Sequence, residues 1–196
     1  MKGEAEKISL RHQLITCAVL CALAIAVILL FHPRPHVSAI LHGQPVIYQT
    51  LIGMAFGAAY WGISLLGSRF IAPRSAAKHI AESYSRLDLS GWNPLWIAAA
   101  AGLGEELFFR GALQPLLGIW ATSVLFVLLH IRAYRLNTLN QRVLLQSVSI
   151  FAMGVTFGYI AIYIGLLAAM LAHAGMHAVG LYANRRMTRV PTPTAA

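Results

Sequence analysis

LITCAVLCALAIAVILLF, residues 14–31, decides what kind of molecule this is. The run contains no charge, no proline and no glycine. At a rise of about 1.5 Å per residue it makes a helix of about 27 Å, close to the roughly 30 Å hydrocarbon core of a bilayer. Lys2, Lys7 and Arg11 precede it, which is also how a secretory signal begins. The run is long for a signal's apolar region. It leads into His32-Pro33-Arg34-Pro35 without a small-x-small cleavage site. We read it as a retained signal anchor.

The rest of the chain has the same character. Of 196 residues, 58% are hydrophobic and 11% charged, against about 45–50% and 25% in soluble domains. The mean hydropathy is +0.67. These values exclude a disordered chain, a fibrous repeat and an ordinary soluble enzyme. They imply an all-α, polytopic membrane bundle of about six spans in a single integral membrane domain, residues 1–196. The expected spans are Leu14–Phe31, Val46–Gly67, Pro94–Leu113, Gly118–Ile131, Val143–Ile162 and Gly165–Ala183. Two N-terminal spans (14–67) thus precede a core of four (87–185). Pro115 and Gly118 break the chain between the third and fourth. Val143–Ala183 is too long for one helix, so a tight turn is expected at Tyr163–Gly165.

The net charge of +9 and pI near 10.2 raise the question of nucleic acid. The basic residues do not form one soluble patch, so no nucleic-acid partner is implied. They lie between apolar runs, and thirteen of the fifteen fall on one side of a six-span topology. The exceptions are Arg34, on the other side, and Arg110, within the third span. The positive-inside rule then puts both termini in the cytoplasm. Ser75–Leu87, with Ile80, Tyr84 and Leu87 on one face, reads as a short amphipathic helix on the cytoplasmic surface. Trp92 and Trp96 mark where the third span enters the membrane. Gly53-xxx-Gly57 and Gly154-xxx-Gly158 permit close helix contact. Cys17 and Cys21 read as packing or lipid-facing residues.

Six acidic residues occur in the whole chain, and two of them, Glu105 and Glu106, stand side by side in the third span as GEELFFRG. An ionisable group at the centre of a span costs about 2.5–3.5 kcal/mol on insertion scales, so it needs a partner or a task. Glu106 and Arg110, at i and i+4, can pair on one helix face. Glu105 points about 100° away, toward the face of Ala101, Gly102, Phe109 and Ala112, with no local partner. A carboxylate so placed is a candidate general base. The fourth span carries Phe126-xxx-His130, and the sixth His173-xxx-His177. Measured by helical rise from the far ends of their spans, Glu105 and His173 lie about 12–14 Å deep, and His130 and His177 about 18 Å. A lone intramembrane histidine is more often an interhelical hydrogen bonder, and a lone Glu-Arg pair a structural lock. Four such groups at overlapping depths on three spans favour a site. His32, His36 and His42 fall in a proline-containing external loop and read as solvated. His12 and His79 read as interface residues.

Glu105-Glu106-xxx-Arg110-Gly111, Phe126-xxx-His130 with Ser123 ahead of it, and His173-xxx-His177 occur in this order on successive spans. The set resembles the CPBP family of intramembrane glutamic endopeptidases, which includes the CAAX prenyl proteases. The resemblance covers roughly residues 87–185. It implies that Glu105 and His130 activate a water for attack on a peptide carbonyl. It also implies that His173 and position 177 stabilise the oxyanion, while Glu106, Arg110 and Phe126 support the site or substrate. No cofactor is implied. The departure is His177, where the family usually has Asn or Asp. Neutral histidine still donates one N–H. It also sharpens an alternative, in which Glu105, His130, His173 and His177 bind zinc, although no HExxH motif is present. A third reading is a non-catalytic immunity or scaffold protein, or a proton-linked carrier, without the repeats typical of many carriers. The implied partners are the bilayer and a membrane-embedded or lipid-modified protein or peptide. The expected location is a prokaryotic plasma (inner) membrane. The oligomeric state and substrate identity are left open.

Overall fold

The structure, a computed structural model, describes residues 7–32, 43–70, 86–131 and 141–189, with 64–70, 142 and 187–189 as backbone only. Its elements are α1 (Leu10–Phe31), α2 (Val46–Phe70), α3 (Asn93–Glu106), a π-helical segment (Leu107–Leu113), α4 (Gln114–His130), α5 (Gln141–Tyr163) and α6 (Leu166–Arg189). Among the described residues there are only isolated β-bridges, Ile8 with Leu87 and Gly43 with Gly165. Among the described residues, five stretches are long and apolar enough to cross a membrane: Leu10–Phe31, Val46–Ile63, Asn93–His130, Val143–Tyr163 and Leu166–Arg186.

The third of these, 38 residues, would be about 57 Å long as a straight helix, almost twice the bilayer core. It is not straight. Gly118 sits at φ +77°, ψ 168°, a conformation essentially confined to glycine. Residues nearly equidistant on either side of it meet again: Phe109 and Phe126 have ring centroids 4.9 Å apart, and Glu105 reaches His130. The chain therefore doubles back at Gly118 into two antiparallel arms. The expected break between the third and fourth spans is a helical hairpin, with Pro115 withholding an N–H from the last turn of its first arm.

The two ends of the bundle can be followed through their contacts. At one end Ile8 N donates to Arg86 O (2.7 Å) and Asp88 N to Ile8 O (3.1 Å). Arg185 Nη1 donates to Gly91 O there (2.6 Å), and Ile97, Ala98 and Leu181 pack with Leu10 and Leu87. The start of α1, the start of α3 and the end of α6 thus share one end. Asp88 organises the chain before α3: it accepts the Ser90 N–H and an Asn93 Nδ2–H, each at 3.0 Å. These bonds, the Ser90 N–H first, hold its carboxyl below the usual range. At the opposite end lie Gly118, the Gly43–Gly165 bridge and the turn at Ile164–Gly165, within the expected Tyr163–Gly165 boundary.

Apolar side chains cover the outside, as a lipid solvent allows: Leu30 is 75% exposed and Phe31 64%. Small residues do the packing inside. A Cβ on Gly102 would meet Met170 O at 2.6 Å and Ala174 Cβ at 2.9 Å, so α3 and α6 run with backbones nearly touching. Gly154 and Gly158 of α5 make room for Ser123 and Gln114 of the hairpin. Both Gly-xxx-Gly motifs are therefore helix contacts. The surface helix expected at Ser75–Leu87 lies outside the described residues except Arg86 and Leu87, which join the edge bridge with Ile8. His36, His42 and His79 also lie outside them.

Candidate active site

Two carboxylates in succession cannot share a helix face, and the fold uses the difference. Glu106 ends α3 and is fully buried. Its Oε2 accepts Arg110 Nε at 3.2 Å, and neither side chain of this pair has exposed surface. Its Oε1 lies 2.8 Å from His173 Nδ1. A carboxylate is an acceptor, so His173 Nδ1 carries the proton in this bond. Glu106 thereby ties the π-helical segment to α6. The Arg110 guanidinium carbon lies 5.9 Å from the Phe109 ring centroid and 5.4 Å from that of Phe126. This placement gives a buried cation two aromatic faces. Among the described residues, Arg110 Nη1 and Nη2 have no hydrogen-bond partner, so the rings and Glu106 are what hold the charge.

Glu105 turns the other way. Its Oε2 lies 3.4 Å from His130 Nε2, and the side chains are 20% and 16% exposed. That exposure separates the two carboxylates: the Glu105–His130 pair can be reached, and the Glu106–Arg110 pair cannot. His130 Nδ1 bonds to Phe126 O at 2.7 Å. A carbonyl only accepts, so Nδ1 carries a proton in that bond, and Nε2 faces the Glu105 carboxylate. A water beside this contact can touch both groups.

The remaining residues complete one connected group. Phe126 lies 4.3 Å from His130 and 6.3 Å from His173, centroid to centroid. His173 stacks against Phe157 at 5.0 Å and lies over His177 at 6.1 Å. Glu105, Glu106, Arg110, Phe126, His130, His173 and His177 are thus all brought together, from α3, the π-helical segment, α4 and α6. Among the described residues, no group of three or more His, Cys, Asp or Glu side chains is arranged to hold a metal ion.

Shared depth does not make partners: Glu105 and His173 lie at similar depth, yet His173 bonds Glu106 and Glu105 has His130 beside it. The Gly118 hairpin returns α4 to the Glu105 face, while α6 packs on the Gly102 and Glu106 side. One correction concerns His32. It is not simply a solvated loop residue, since its Nε2 meets Ala112 O in the π-helical segment at 2.9 Å. The π-helix itself has no signature in LFFRGAL that helical periodicity would reveal. Such segments occur often at functional sites, and this one starts directly after the carboxylate pair. Phe157, which flanks His173, was also missed, since an aromatic in an apolar span carries no sequence signal.

Residues 88–179, from the approach to α3 through both histidines of α6, match the family model of Rce1-like type II CAAX prenyl endopeptidases. The match covers a little under half of the chain and makes this core similar to that family. All seven residues of the cluster lie within the matched segment, and α1 and α2 lie outside it. No curated protein and no solved structure shows a significant match to the chain.

Proposed function

We propose that this Rce1-like protein is a metal-independent, glutamic-type intramembrane endopeptidase in which Glu105 and His130 activate the hydrolytic water. One observation carries the reading: a partly exposed Glu105–His130 pair, 3.4 Å apart, stands on a fully buried Glu106–Arg110 pair. In the proposed reaction a water lies beside the Glu105–His130 contact, touching both groups. His130 Nε2 takes its proton as the oxygen attacks the peptide carbonyl carbon. The Nδ1–H bond to Phe126 O fixes the tautomer this requires. The carbonyl becomes an oxyanion, which an N–H of His177 stabilises; His173, whose Nδ1–H is held by Glu106, joins it through Nε2–H as the imidazolium. Collapse breaks the C–N bond, and the proton held by His130 passes to the leaving amine. Glu105 stabilises the imidazolium formed in between. Glu106, Arg110 and Phe126 keep the imidazoles in place.

The substrate class that fits is a membrane-embedded or lipid-modified protein or peptide, since the site lies among membrane-spanning helices. The basic end of the bundle faces the cytoplasm by the positive-inside rule, in a prokaryotic inner membrane. The test is cleavage. Mass spectrometry of membrane-protein termini, comparing wild type with Glu105→Ala, should reveal termini made only by the wild type. Identical termini in both would sink the assignment. Stoichiometric zinc in the purified protein, with chelator-sensitive cleavage, would replace the metal-free mechanism by a zinc-dependent one.

A further inference from the structure

Outside the Rce1-like core, α2 packs along α6 through contacts that repeat every four residues on both helices. Gln49 Oε1 accepts Leu167 N–H at 3.1 Å. One turn on, a Cβ at Gly53 would lie 2.7 Å from Leu171 Cβ. A further turn on, a Cβ at Gly57 would lie 3.1 Å from Gly175 Cα. The partners are therefore 49 with 167, 53 with 171 and 57 with 175, a parallel pair in strict register.

The lower two rungs do not fix that register. They are contacts of glycine with apolar side chain or backbone, and a slip of one turn replaces one such contact by another. Gln49 is different. It is fully buried, and its Nε2 donates to Gln44 O at 2.7 Å. Its Oε1 needs a backbone N–H that is free. In a helix only the first four N–H groups lack an intrahelical partner, and in α6 these begin at Leu166. A slip of one turn, about 5.4 Å, would bring Gln49 against N–H groups already bonded within α6 or off its end. The amide would then be buried without a partner, as with the single polar residue that sets register in an apolar coiled coil. Gly165 explains why the cap comes from another helix. At φ +139° it precedes α6 without a side chain to cap it, and a Cβ there would collide with the Gln49 amide.

We propose that Gln49 is the register lock of α6, and hence a positioning residue for His173 and His177. This rests on the peptidase reading for its catalytic consequence but not for its geometry. His173 lies less than two turns beyond Leu167, so α6's axial position sets the 2.8 Å bond from His173 Nδ1 to Glu106.

The test is the ¹⁵N NMR signal of the His173 imidazole, assigned by its loss in His173→Gln, in nanodisc-embedded protein. Gln49→Met, which keeps the bulk and removes both bonds, should shift the Nδ1–H resonance. It should also lower kcat by about a hundredfold or more with KM within about twofold, since a misplacement of even about 1 Å can cost that much. Gln49→Glu keeps an oxygen for Leu167 and should retain the native signal. Thr50→Val, which alters a half-buried neighbour bonded to Val46 O, should leave both readouts unchanged. If Gln49→Met does not fold, Gln49→Asn, one methylene short of Leu167, is read in the same way. An unmoved His173 signal in the folded Met or Asn variant overturns the proposal. The NMR readout needs no turnover, so a wild type without peptidase activity would sink the function and leave the register lock standing.

Discussion

Replacing Glu106 with alanine removes the carboxylate that Arg110 and His173 share, and its effect can be worked through from the geometry. Arg110 Nε at 3.2 Å and His173 Nδ1 at 2.8 Å both lose their acceptor. Arg110 stays behind as a charge with no exposed side-chain surface. Breaking a buried ion pair from one side costs about 3–5 kcal/mol, because the remaining charge is uncompensated. A charge-assisted hydrogen bond is worth about 1.5–3 kcal/mol by itself. The two losses share one group and do not add, so about 4 kcal/mol is expected for Glu106→Ala. The aromatic contacts of Arg110 offset nothing, since they exist in the wild type. Removing the stranded cation as well should recover much of the loss: Glu106→Ala with Arg110→Met should fall within about 2 kcal/mol of the wild type. The assay is equilibrium unfolding in mixed micelles, run as a double-mutant cycle. A Glu106→Ala cost below about 1 kcal/mol, or strict additivity of the two single variants, would refute the buried lock.

Four further outcomes follow from the same structure. Glu105→Ala and His130→Ala should each lower cleavage by about 10²–10⁴-fold, the usual share of general acid–base catalysis. Both should still fold and insert, because this pair is partly exposed; wild-type turnover in either removes it from the chemistry. His177→Asn, which restores the residue usual in the CPBP family, should keep cleavage within about tenfold, since an amide supplies an N–H as neutral imidazole does; complete loss would mean that the ring itself is needed. Gly118→Ala should cost about 1–3 kcal/mol in the same unfolding assay through backbone strain alone, because a Cβ there meets nothing within 4 Å; a neutral result would show that the hairpin bend does not depend on glycine. Treatment with a strong chelator should leave cleavage unchanged, and its loss with recovery on adding zinc would overturn the metal-free mechanism.

The helices were legible because each apolar run had to span about 30 Å and the charges between runs had a consistent side. Expected and observed limits agree closely: Leu14–Phe31 against Leu10–Phe31, and Gly165–Ala183 against Leu166–Arg189. The members of the site were legible because ionisable groups in a membrane are rare and conspicuous. Rise per residue gives depth along the membrane normal and does not say which helix lies beside which, so the bond between His173 and Glu106 had no signal in the sequence. The π-helical turn escaped for a related reason, since it changes the angular phase of Phe109, Arg110 and Ala112 without changing composition. Gln49 and His32 act through single hydrogen bonds to the backbone of distant helices, Leu167 N and Ala112 O. Such bonds depend on tertiary placement and leave no spacing to read.

The reversal at Gly118 also bears on how the protein is made. Its two arms hold Glu105 and His130, so the residues proposed to activate water belong to one contiguous stretch, Asn93–His130. Such a helical hairpin can enter the membrane as a unit, and its closing contacts are local in sequence. His173 and His177 arrive only with α6, which follows the hairpin in the chain. Until α6 seats against the Gln49 cap, Glu106 has Arg110 but not His173. A nascent chain would then carry a water-activating pair with no oxyanion donors beside it, and the order of synthesis would itself delay activity until the whole bundle has assembled.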